Sequence, residues 1–98
     1  MMSVEVANAI EALAVALVDS IPAYKTPAWS SWVEEVASLI ADGETSIAVD
    51  VALRDAALTR AKVPVGLLDE AERLLDPDFL NDEAMAFLRS RNREHVAA

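Results

Sequence analysis

Side chains able to do chemistry are few in this 98-residue chain. His95 is the only histidine and lies three residues from the carboxyl end, where a frayed, solvated position is expected rather than a catalytic base or ligand. There is no cysteine, which excludes disulfides, thiolate metal sites and cysteine nucleophiles. One histidine without cysteine does not make the three- or four-ligand shell that zinc takes. The acid pairs Glu34-Glu35, Asp69-Glu70 and Asp82-Glu83 are adjacent in sequence. On a helix neighbours diverge by about 100°, so the two members of a pair do not converge on one ion or one substrate. Each pair falls in or near the first turn of an expected helix, where carboxylates favour the helix dipole. No Glu-x-x-His pair of the helical carboxylate-metal type occurs. Gly43 and Gly66 stand alone, so there is no glycine-rich phosphate loop. Arg89, Arg91 and Arg93 are too few for a nucleic-acid footprint in so acidic a chain, and ion pairs with the chain's own acids are expected instead. No enzyme, cofactor or metal is expected.

The elements around these residues are those of one small domain, residues 1–98, with a frayed tail at about 94–98. Apolar residues make up 54% of the chain but aromatics only 5%, which favours close-packed helices over an aromatic-lined pocket. The net charge of −9, from 17 acids and 8 bases, disfavours nucleic acid and anionic membrane and suits a basic partner. The amino-terminal run has no basic leader and is interrupted by Glu5, Glu11 and Asp19. Its uncharged part, Ala12–Val18, is far short of the ~20 residues that span a bilayer, so a cytoplasmic protein is expected.

Helical periodicity runs through most of the chain. Val6, Ile10, Leu13 and Leu17 share one face of a first helix capped by Ser3, widened by Val15 and Val18 and ended before Pro22. A second helix starts near Pro27, behind Thr26, or alternatively at Trp32 with Ser31 and Glu34 as a capping box. Its stripe is Trp29, Val33, Val36 and Ile40. The two tryptophans are expected as core or edge packing, with a partner-facing patch beside Tyr24 as the alternative. Gly43 ends this helix as a left-handed stop. A third helix then has Glu44 in its first turn and Ile47, Val51 and Leu58 as its buried stripe, adjoined by Ala48 and Ala52. The short link makes helices two and three an antiparallel hairpin with its tip at Asp42–Thr45. Pro64 and Gly66 break the chain. A short helix at about Leu67–Leu75, a turn at Asp76–Leu80 and a last helix capped by Asn81 follow. The expected fold is all-α: a compact bundle of four to five short helices around the central hairpin.

The same hairpin carries a family likeness. Leu39-Ile40-Ala41-Asp42-Gly43-Glu44, followed by Ile47-Ala48-Val49-Asp50, resembles the small helical immunity proteins of the Maf and contact-dependent-inhibition toxin systems. In that group a Leu-Ile-x-x-Gly-Glu helix end precedes a Leu-Ala-Leu-Glu-like segment. Val-Pro and Leu-Asp-Pro phrases follow, matched here by Val63-Pro64 and Leu75-Asp76-Pro77. The likeness covers about Trp32 to Leu88. It departs at Ala52-Leu53-Arg54-Asp55-Ala56, where the acid is displaced by one position, and at Gly66, where a serine-like cap is usual. It implies a non-enzymatic protein that binds its cognate toxin in the cytosol and blocks the active site or substrate groove. Many such toxins are nucleases with basic grooves, which an acidic chain would meet quickly. On that basis the acids near the Gly43 turn, Glu34, Glu35, Asp42, Glu44, Asp50 and Asp55, are expected to include the partner-facing set. The alternatives are a homo-oligomeric helical scaffold that buries the Trp29 and Trp32 region between copies, and an acidic nucleic-acid mimic.

Overall fold

The computed structural model describes residues 3–97, with side chains as far as Arg93. Among these residues lie five α-helices and no strand, the all-α bundle expected. They are α1 (Val4–Ser20), α2 (Ser30–Ala41), α3 (Thr45–Leu58), α4 (Val65–Leu74) and α5 (Asp82–Ala97), with short 3-10 turns at Pro22–Lys25, Pro27–Trp29 and Pro77–Phe79. The expectations for the tail at about 94–98, His95 among them, fall on side chains outside the described residues.

Proline, glycine and capping side chains set the boundaries. The backbone N–H of Val6 donates to Ser3 Oγ at 3.2 Å and opens α1. Before Pro22, Ile21 turns to an extended conformation and closes it. Helical winding resumes at Pro22 as a 3-10 turn, is interrupted at Thr26, and resumes again at Pro27 as a second 3-10 turn that runs directly into α2. The capping box at Ser31 does not form: Ser31 lies inside α2, into which the Pro27–Trp29 turn leads without a break. At the far end Gly43 adopts φ +80°. Its N–H donates to Ile40 O at 3.1 Å and that of Glu44 to Leu39 O at 2.9 Å, the paired bonds of a Schellman stop. Glu44 is therefore the residue before α3 rather than part of its first turn, and its carbonyl accepts the helix's first bond, from Ala48.

A second stop of the same kind ends α3 without a glycine. Arg60 takes φ +58°. Arg60 N–H donates to Ala57 O at 3.2 Å and Ala61 N–H to Ala56 O at 2.9 Å. Pro64 leads α4, and Asn81 Oδ1 caps α5 by accepting from Ala84 N–H at 2.9 Å. Two side chains fasten α5 to what precedes it. Arg89 reaches Asp69 at 2.9 Å and Glu72 at 3.0 Å, the expected local ion pairing, and Asn92 donates to Val63 O at 2.8 Å.

The core centres on α3, which packs most extensively on α1 and also meets α2 and α5. Here the structure reverses an expectation. The inner face of α3 is Ala48, Val49, Ala52, Leu53 and Ala56, all buried, whereas Ile47 and Leu58 are exposed and Val51 is half-buried. Both sets have helical spacing, so distance decides between them. Alanines let the α3 backbone approach α1, where Ile10, Leu13, Ala14 and Leu17 fill the space. The larger side chains of α3 are left outside. On α1 the apolar side is likewise narrower than expected, with Val15 exposed.

Candidate interaction surface on the helical hairpin

The hairpin distributes its acids unequally. Glu34, Glu35, Asp42 and Glu44 are exposed on α2 and at the tip. Asp50 is half-buried and accepts from Arg54 Nε at 3.1 Å, one helical turn away. Asp55 is a correction. It is only 3% exposed and cannot face a partner, because it lies on the alanine side of α3 where the core closes over it. Its Oδ2 accepts a 2.5 Å hydrogen bond from the Tyr24 hydroxyl, across 31 residues of sequence.

This buried pair sits in an unfavourable field. Loss of water, and then the charge of Glu35, push the Asp55 carboxyl above its ordinary range, while the Tyr24 hydroxyl pulls it back. Burial, the bond to Asp55 and the negative charges of Asp55 and Glu35 together push the Tyr24 hydroxyl well above its ordinary range. The hydroxyl keeps its proton and donates it to the Asp55 carboxylate, so the pair acts as a clamp that ties the Pro22–Lys25 turn to α3. Sequence spacing did contain a sign of it. Ala48, Ala52, Asp55 and Ala56 share a face, and a carboxylate among alanines calls for a donor.

Tyr24 also anchors an aromatic run. Its ring lies 6.4 Å from Trp29, and Trp29 lies 5.2 Å from Trp32, both tilted. Trp29 is half-buried against the core; Trp32, one turn before the exposed Glu35, is 45% exposed. Packing and surface are thus divided between the two tryptophans.

Charge is also divided along the sequence. Residues 1–53 hold eight acids and one base, Lys25; residues 54–98 hold nine acids and seven bases, so the two parts carry −7 and −2 of the −9 total. In the second part Arg73 pairs with Glu70 and Arg89 with Asp69 and Glu72. From Thr26 to Leu53, which includes α2 and the tip, there is no lysine or arginine. Among the described residues no group of three His, Cys, Asp or Glu could hold a metal ion, and no helix is long and apolar enough to cross a membrane. Acids without a lysine or arginine among them thus cover α2 and the tip, with the half-exposed Trp32 beside them. No family model, curated protein or solved structure matches the chain.

Proposed function

We propose that this chain is a non-enzymatic binding protein that captures a basic protein partner, one to one, through the acids of α2 and the hairpin tip. The concentration of seven of the nine net negative charges in residues 1–53 carries the proposal. Such a field steers a cationic partner into encounter and repels anionic competitors. Trp32 supplies an apolar anchor of a type common at the centre of interfaces. The likeness of the hairpin to toxin-immunity proteins gives the partner a class: a toxin domain, possessing a basic substrate groove, neutralised in the cytosol. Glu34, Glu35, Asp42 and Glu44 form the partner-facing set. Asp50 holds Arg54, and Asp55 belongs to the core.

The test replaces Glu34, Glu35 and Asp42 with lysine together, leaving α3 intact, and measures binding to any toxin domain that a neighbouring gene is found to encode. Association should slow roughly 10-fold or more at low salt, with a smaller loss at high salt, and cells should lose protection. Undiminished association and protection by the triple variant would overturn the proposal.

A further inference from the structure

Side chains from the Pro22–Lys25 turn, the start of α2 and the middle of α3 meet at one corner of the bundle. Asp55 accepts from Tyr24, the Tyr24 ring lies 6.4 Å from Trp29, and Trp29 lies 5.2 Å from Trp32. Glu35 closes the circuit. It follows Trp32 by three residues on α2, a spacing at which side chains are neighbours and lean back toward the helix start. Its negative charge also acts on both Tyr24 and Asp55, which places it over the same corner. Two carboxylates thus flank a run of aromatic rings whose outermost member, Trp32, is 45% exposed. Neither neighbouring base answers them. Arg54, next to Asp55, is drawn to Asp50 at 3.1 Å. Lys25, next to Tyr24, is exposed and forms no ion pair among the described residues.

We propose that this corner takes an arginine side chain of the captured partner, its guanidinium lying flat on the Trp32 ring and pairing with Glu35. The site rests on α2 being the partner-facing surface, and it names the group which that surface takes. A cation is attracted to the face of an indole. A planar guanidinium can stack on the ring and still present paired N–H donors from its edge to a carboxylate. A lysine ammonium, compact and strongly hydrated, gives up more water to reach an aromatic face and pairs as a point charge. Trp29, half-buried against the core, backs the exposed ring, so that Trp32 is ordered before a partner arrives. Asp55 is only 3% exposed and stays out of contact with the guest. Its charge adds to that of Glu35 from beneath, where salt screens it less than it screens an exposed acid. An anionic side chain would meet repulsion from both carboxylates.

Hexa-arginine and hexalysine peptides, equal in charge, serve as probes, with affinity read by isothermal titration calorimetry. The chain should bind hexa-arginine about 2- to 5-fold more tightly than hexalysine. Trp32→Leu, at an exposed position, should keep the helicity of the wild type and abolish the preference. Glu35→Gln should weaken hexa-arginine binding more than Glu34→Gln, which removes the same charge about 100° round the helix. In nuclear magnetic resonance spectra the indole N–H signal that Trp32→Leu deletes should shift with hexa-arginine, and further than the signal of Trp29. Equal affinity for the two peptides overturns the proposal, as does a preference that survives Trp32→Leu, or equal losses in Glu34→Gln and Glu35→Gln. Equal affinities that both collapse when Glu34, Glu35 and Asp42 become lysine strike the arginine site but leave the capture of a basic partner standing. An arginine preference lost in Trp32→Leu, in a chain that binds no toxin domain, keeps the site and strikes only the partner's class.

Discussion

Removing the hydroxyl of Tyr24 isolates the one buried acid of the described core. In Tyr24→Phe the ring still fills its place, but Asp55 Oδ2 loses the donor that stands 2.5 Å away. A hydrogen bond to a charged group contributes about 1.5–3 kcal/mol, and an unsatisfied buried carboxylate costs a similar amount. For a domain of this length each kcal/mol lowers Tm by about 4–8 °C, so a fall of at least about 6 °C is expected at neutral pH. Asp55→Asn is the control, since its amide oxygen still accepts from Tyr24 without a charge. In that background Tyr24→Phe should cost only about 1 kcal/mol. The sign of the pH dependence follows from the raised Asp55 pKa. Asp55 in the folded chain takes up its proton at a higher pH than in the unfolded chain. Its contribution is therefore fully present below the ordinary carboxylate range and is lost as pH rises through the raised value. The Tyr24→Phe penalty should accordingly shrink on acidification, while Asp55→Asn flattens the profile. Urea titrations followed by far-ultraviolet circular dichroism, from neutral to mildly acidic pH, measure all four chains. Equal losses in the Asp55 and Asp55→Asn backgrounds, or a Tyr24→Phe chain as stable as wild type at neutral pH, would refute the clamp.

Three further outcomes test the helix stop and the inverted face of α3. Gly43→Ala should lower stability by about 1–2 kcal/mol, read from thermal unfolding, because φ is +80° there while no atom lies near the added methyl; the cost is backbone strain alone. Ala52→Leu should cost about 1–3 kcal/mol by overpacking the α1–α3 contact, whereas Leu58→Ser, measured dilute, should change stability by less than about 0.5 kcal/mol.

Boundaries were the legible part of the sequence. Pro22, Gly43, Pro64 and Asn81 act through local backbone sterics and hydrogen bonding, and each ends or starts a helix close to where its chemistry requires. The face of α3 was not legible. Ile47, Val51 and Leu58 repeat with a helical period, and so do Ala48, Ala52 and Ala56; periodicity ranks neither. Only the approach of α1, a tertiary fact, makes the small residues the inner set. The stop at Arg60 carries no sequence signal, because a left-handed residue at a helix end is ordinarily glycine or asparagine. In the sequence Asp55 resembles the surface acids around it, because its partner, Tyr24, is remote in sequence and approaches only after folding. Among the candidate acids, exposure separates Glu34, Glu35, Asp42 and Glu44 from Asp50 and Asp55, and exposure depends on the neighbours that folding supplies.

Because α3 turns its alanines inward and its larger side chains outward, folding and outward contact draw on different residues of one helix. Enlarging the inner alanines costs stability, whereas Ile47, Leu58 and their neighbours can change shape and polarity at little cost to the bundle. A lineage carrying this helix can therefore retune what its surface meets, one substitution at a time, without first acquiring compensating changes in the core.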